Sequence, residues 1–109
     1  MRSQTPLMLP STTTLVHAAR NMVNRNVSAV LVTEGDAEIV GIFTVRDAVT
    51  RVLAKGRDPI RTTLADVMTY LPVIMTPDAA AIEALRLMKR QRADTGAFLL
   101  TAGRGGRGE

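Results

Sequence analysis

The feature that most constrains this sequence is an internal repeat. Residues 6–9 are echoed by residues 72–75, and residues 16–22 are echoed by residues 82–88, both at an offset of 66. Each copy therefore has an apolar run followed by a helical pattern. Because the order is the same in both, the two copies are predicted to be related structural units. A chain of 109 residues can hold one compact domain built from two small halves, but not a multidomain enzyme.

The first copy is predicted to fold as strand, helix, strand, strand, helix. Apolar side chains recur at helical spacing over residues 15–23 and again over residues 45–53. Between these helices, the β-rich runs 28–33 and 39–43 flank a polar connection of glycine and acidic residues, which indicates a hairpin. Residues 1–69 comprise this first repeat and the linker that follows it.

The second copy, residues 70–101, is predicted to stop early. It has a first strand, a helix and a second strand at residues 96–101, whose pattern matches residues 28–33. No third strand or second helix is predicted, because residues 102–109 are mostly glycine and arginine and indicate a disordered tail. The predicted fold class is therefore α+β, with one strand-helix-strand-strand-helix repeat followed by an incomplete second repeat.

The excess positive charge lies at the C-terminal end. The net charge is +4, and residues 1–85 contain equal numbers of basic and acidic side chains, so the excess lies in residues 86–109. Nucleic acid binding through residues 86–107 is therefore an alternative function. The tail resembles an arginine-glycine RNA-binding segment, but it has no aromatic side chains for base stacking, which disfavours nucleic acid as a partner. Residues 103–108 match a dinucleotide-binding glycine pattern, which needs a following helix that is not predicted.

The composition excludes several kinds of chemistry. The chain has no cysteine and one histidine, His17, so disulfide frameworks, thiolate zinc sites, cysteine nucleophiles and multi-histidine metal cages are excluded. Most hydrolytic machinery is therefore missing, and no metal site is expected. No apolar run approaches the roughly 20 residues that span a bilayer, and the N-terminus lacks the segments of a secretory signal. A cytoplasmic location without membrane contact is predicted.

Two short motifs accompany the repeat. Residues 41–47 read Gly-Ile-Phe-Thr-Val-Arg-Asp at the junction of the third predicted strand and the second helix, and residues 66–69 read Asp-Val-Met-Thr. With the repeat, they resemble the CBS domain, named for cystathionine β-synthase, whose paired arrangement is the Bateman module. The first motif is similar to the family signature of glycine, hydrophobic, any, Thr/Ser, any, any, Asp. The second is similar to the segment that commonly opens a CBS repeat.

The resemblance implies a regulatory module, not an enzyme, that binds an adenine nucleotide in the cleft between repeats. AMP, ADP, ATP or S-adenosylmethionine would be the ligand, with no required cofactor. Thr44 would contact the ribose-phosphate region, Asp47 would hold the ribose hydroxyls beside the cation of Arg46, and the opposite repeat would supply backbone. The residues expected at the site are Gly41, Thr44, Arg46, Asp47, Pro72, Val73, Ile74 and Ala97.

Simpler interpretations stay open beside the nucleotide site. Thr44 and Asp47 have the spacing of a helix capping box, so both side chains can be structural, with or without a ligand. The missing third strand would leave the apolar strand at residues 96–101 with an exposed edge, which tends to pair with another chain. The family implies dimers as well, so a homodimer is predicted. A ligand-free structural or dimerisation module is the main alternative function.

Overall fold

A computed structural model describes residues 5–36 and 38–106, with side chains described as far as residue 93. The elements are, in chain order, β1 (Met8–Pro10), α1 (Leu15–Arg25), β2 (Ala29–Glu34), β3 (Glu38–Thr44), α2 (Val45–Asp47), α3 (Leu64–Val67), β4 (Thr69–Met75) and α4 (Pro77–Gly106). Helix α2 continues directly into a π-helical segment, Ala48–Leu53, called the π segment below. The fold is α+β, as predicted. Among the described residues, no helix is long and apolar enough to cross a membrane. The cytoplasmic location stays a prediction.

The four strands form one sheet in the order β1-β2-β3-β4. Strand β1 lies parallel to β2, whereas β3 runs antiparallel to both β2 and β4. The predicted hairpin between β2 and β3 is confirmed, and Gly35 takes a left-handed φ of 58° at its turn, which glycine adopts without steric cost. Thr69 lies opposite Ile42 and Met75 opposite Ile39, so β4 begins near the Thr44 end of β3 and runs away from it.

Alternating side chains of β2 separate two cores. Val30 and Val32 face one side of the sheet and Leu31 faces the other, as the two-residue period of a strand requires. Helix α1, the π segment and α3 cover the first side, and α4 covers the second. The first core contains the buried residues Leu7, Leu15, Ala18, Met22, Val30, Val32, Phe43, Val52, Leu64, Val67 and Met68. The second core contains the buried residues Leu31, Ile39, Ile42, Ala80 and Ala84.

The linker predicted after the first copy is an ordered part of the first core. It contains α3, and its backbone meets the segment that leads into α1, where Leu64 N donates to the Thr13 carbonyl at 2.9 Å. Thr63 forms an isolated bridge with Thr14, and Leu64 is completely buried. These contacts fasten the start of β4 to the first repeat.

The structure overturns the second strand that was predicted for the second copy. Residues 96–101 are helical, because α4 extends through them. The prediction rested on the apolar match to β2, but β2 carries β-branched valines that favour a strand, whereas this segment carries alanine and leucines, which are strong helix formers. The helix also includes residues 102–106, for which the sequence predicts disorder. Residues 107–109 lie outside the described residues.

Candidate functional site

The turn from β3 into α2 is closed by two side chains that cap each other. Asp47 N donates to Thr44 Oγ1 at 3.2 Å, and Thr44 N donates to Asp47 Oδ2 at 3.0 Å. This is the reciprocal capping box that the Thr-x-x-Asp spacing indicates. Thr44 is 1% and Asp47 is 2% exposed, so a hydroxyl and a carboxylate lie side by side in the protein interior.

A third side chain, Gln91 of α4, completes this polar cluster. The Thr44 hydroxyl donates to Gln91 Oε1 at 2.9 Å, and Gln91 Nε2 donates to Asp47 Oδ1 at 3.2 Å. The chemistry of the partners selects this orientation of the amide, because the opposite orientation would place Oε1 against the carboxylate. The three side chains therefore form a closed set of hydrogen bonds that joins the first repeat to α4.

Two arginine side chains lie beside the cluster. Arg51 Nε lies 3.8 Å from Asp47 Oδ1, and Arg51 Nη1 donates to two backbone carbonyls around the end of α3 at 3.1 and 3.0 Å. Arg46 Nη1 makes a long hydrogen bond of 3.5 Å to the backbone carbonyl of Gln91. A buried carboxylate is costly unless it is paired and hydrogen-bonded. Asp47 is compensated in both ways, by the cation of Arg51 and by its N–H donors.

Gly41 has a packing role at this junction. A Cβ atom added to it would fall against the side chain of Met68 and 3.0 Å from the Thr69 carbonyl oxygen. The glycine lets the connection between α3 and β4 approach β3 closely, which is a recognised use of glycine inside a strand. The glycine of the 41–47 motif is thus explained without a ligand contact.

The other residues expected at the site do not join the cluster. Pro72, Val73 and Ile74 lie in β4, beside the part of β3 that is remote from Thr44, because β4 runs away from that end. All three side chains are exposed. Ala97 lies in the helical backbone of α4, and its side chain lies outside the described part of the chain.

An apolar groove of about 560 Å³ lies between α1 and the π segment. Its lining is almost entirely aliphatic, and it includes Val23, Val45 and Leu53, which are largely exposed to solvent. Contiguous apolar surface of this kind marks an interaction site more often than isolated apolar residues do.

A cleft of about 520 Å³ lies on the other side of the π segment and is rich in charge. Arg51, Lys55, Arg57 and Asp66 line it. The hydrogen bond from the Thr63 backbone N–H lowers the pKa of Asp66, and the Thr63 hydroxyl and the Arg57 charge lower it further. The carboxylate therefore stays ionised among the cations.

Comparison with known proteins identifies the fold family. The sequence model of the CBS domain matches residues 1–54. Among solved structures, the chain is similar to a cystathionine beta-synthase domain protein fused to a Zn-ribbon-like domain, with 30% identity and a TM-score of 0.59 over 64% of this chain and 99% of that chain. The chain belongs to the CBS-domain family. CBS domains are typically regulatory, non-catalytic modules.

The CBS domain also links this chain to longer proteins. The CBS domain-containing protein CBSCBSPB3 of Arabidopsis thaliana is 41% identical over 88 residues, which are 81% of this chain but 16% of that protein. The chain thus spans a small part of the curated relatives that it matches. A CBS domain protein of Pyrobaculum aerophilum, complexed with AMP, shares the fold at 20% identity with a TM-score of 0.58, over 81% of this chain and 69% of that chain.

Sequence reasoning found the two CBS signature side chains but missed two of their partners. Arg51 stands four residues after Asp47, and this helical spacing is a signal that could have predicted the ion pair. Gln91 is separated from Thr44 by 47 positions and carries no local signal. Its contact depends on how α4 packs across the sheet, which the sequence pattern does not specify.

Proposed function

We propose that this CBS chain is a regulatory module that binds an adenine nucleotide at the junction of β3 and α2. The observation that carries the proposal is that the Thr44 hydroxyl and the Asp47 carboxylate both hydrogen-bond to the same polar group from outside the first repeat, the Gln91 amide. A paired hydroxyl and carboxylate offer the donor and the acceptors that ribose hydroxyls require. Arg46 lies beside them and would supply a cation for phosphate.

Two further observations support this proposal. The AMP complex of the Pyrobaculum aerophilum protein provides an adenine nucleotide bound to the same fold. In this chain, β4 and the start of α4 reproduce the order of β1 and α1, so we regard residues 70–101 as the beginning of a second CBS repeat. The nucleotide would then lie between the first repeat and α4. The candidate ligands are AMP, ADP, ATP and S-adenosylmethionine.

A ligand-free dimerisation module is the second candidate function, and the apolar groove favours it. Val23 and Leu53 are 77% and 69% exposed, and a second copy of this chain would remove them from water. This surface replaces the strand edge that the sequence predicted at residues 96–101, because that segment is helical. We propose a homodimer through the groove; a monomeric mass by light scattering at high protein concentration would contradict it.

Thermal unfolding with and without nucleotide tests the first proposal. Ligand at ten times its dissociation constant should stabilise the folded state by about 1.4 kcal/mol, which raises the melting temperature by about 4–8 °C per kcal/mol in a domain of this size. Thr44→Val should lose this response because it removes the hydroxyl. Thr44→Ser, the matched control, keeps the hydroxyl and should retain the response.

The Asp47 variants refine the same experiment. Asp47→Asn keeps an acceptor but loses the charge, so it should weaken the nucleotide response, whereas Asp47→Ala should abolish it. Both variants also disturb the capping box, which costs about 0.5–2 kcal/mol without any ligand. A wild-type protein that does not respond to any of the four candidate ligands at millimolar concentration would leave the dimerisation module as the function.

A further inference from the structure

We propose that Gln91 gates the nucleotide site, so that its amide must leave Thr44 and Asp47 before a nucleotide can bind. Helix α4 would then control access to the site. The inference rests on the proposed nucleotide function. It adds a residue that neither the 41–47 motif nor the expected site contains.

The first argument is the position of Gln91 on α4. Ala80, Ala84, Leu87 and Gln91 are spaced three or four residues apart and therefore lie along one face of the helix. The first two are buried in the second core, and Leu87 packs against it. Gln91 is the next, polar position along this face, and it lies beside Thr44 and Asp47, where β3 ends and α2 begins.

The second argument is that Gln91 uses the groups a ribose would need. The Thr44 hydroxyl has a single proton, and it donates that proton to Gln91 Oε1. Asp47 Oδ2 accepts the Thr44 N–H, and Asp47 Oδ1 accepts from Gln91 Nε2 beside the Arg51 cation. Because Thr44 and Asp47 are almost completely buried under these contacts, a ribose has no route to them while the amide is in place.

The third argument is that α4 is held loosely near Gln91. Leu85 is 60% exposed, and Leu87 and Met88 are only partly buried. Among the described side chains of α4, which end at residue 93, those buried in the second core are small and lie earlier in the helix, at Ala80 and Ala84. Segments with few buried apolar contacts open locally at low free-energy cost. The helix can therefore release Gln91 without unfolding the first core.

The gate predicts a gain of affinity when the amide is removed. A nucleotide binding to the wild type must first break the two hydrogen bonds of Gln91, one of them to a charged group. Gln91→Ala removes this competition, so the apparent dissociation constant for AMP should fall by about tenfold. Lys89→Ala, a change to an exposed side chain on the same helix, is the matched control and should leave the affinity unchanged.

Hydrogen–deuterium exchange of the full chain supplies the second readout. In the wild type, backbone amides of residues 85–93 should exchange faster when AMP is added, because the nucleotide displaces Gln91. In Gln91→Ala they should exchange faster even without AMP. In Lys89→Ala they should behave as in the wild type.

The outcomes separate this inference from the proposed function. Equal AMP affinity in the wild type and in Gln91→Ala, with no change in exchange, would overturn the gate and leave the nucleotide function standing. No AMP binding by either protein would overturn the nucleotide function. It would overturn the gate as well, because there would be no nucleotide for Gln91 to exclude. Faster exchange in Gln91→Ala would then show only that Gln91 holds α4 against the first repeat. Tighter binding together with faster exchange supports both proposals.

Discussion

The two sides of the sheet are held together in different ways. On the side of α1, the π segment and α3, the described residues form a buried core of eleven residues, whereas the α4 side contributes five. Of the α4 side chains that the structure describes, as far as residue 93, only Ala80 and Ala84 are buried in the second core. Because stabilisation rises with buried apolar area, at about 25 cal/mol per Å², we expect the described residues of the first side to contribute more of it than those of the α4 side.

The candidate site lies where these two sides meet. Thr44 and Asp47 belong to the well-packed first repeat, and the capping box fixes their positions. Gln91 belongs to the loosely packed helix and is tied to them by polar contacts. Under the proposed function, Thr44 and Asp47 would be a fixed pair of binding groups under a side chain that can leave, which is the arrangement that a ligand-responsive module requires.

The largest expected effect tests whether the two sides differ in stability. Phe43→Ala removes a ring that is 1% exposed in the first core, so it should lower the free energy of unfolding by about 3–5 kcal/mol. Leu87→Ala removes a partly buried side chain on the α4 side and should cost much less. Urea unfolding measures both. Equal losses would show that α4 is as firmly packed as the first core.

The next effect tests the place where the second copy joins the first. Gly41→Ala would push a Cβ atom against Met68 and the Thr69 carbonyl, so it should cost about 1–3 kcal/mol of stability. Met68→Ala leaves a cavity at the same place, and the added methyl group would fill part of it. The double variant should therefore lose less than the sum of the single losses. Strictly additive losses in urea unfolding would mean that the two side chains do not meet.

The same contrast separates what could be predicted from sequence from what could not. The strands β2 and β3, helix α1 and the Thr44–Asp47 box follow from local spacing within the first repeat. The prediction was wrong at residues 96–101, where an apolar run without β-branched valines fits a helix as well as a strand. Gln91 could not be found either, since its contacts depend on long-range packing. Errors thus concentrate in the loosely held second copy.

The smallest effect concerns Asp66, in the linker that attaches β4 to the first repeat. The hydrogen bond from the Thr63 N–H, at 2.9 Å, is the main reason that the pKa of Asp66 lies below its ordinary value. A folded-state pKa below the unfolded one means that ionised Asp66 stabilises the fold. That contribution is complete above the ordinary aspartate pKa, about pH 4, and is lost as the pH falls through the lowered folded-state value.

Asp66→Asn isolates this contribution. At pH 7 the variant should be slightly less stable than the wild type. The two free energies of unfolding should begin to converge below about pH 4 and should meet below the lowered folded-state pKa, where both side chains are uncharged. Asp36→Asn, in the exposed β2–β3 turn, is the matched control. A stability difference that persists unchanged at low pH would show that the Asp66 charge is irrelevant. The linker would then be held by the packing of Leu64 and Val67 and by its backbone hydrogen bonds to the segment before α1.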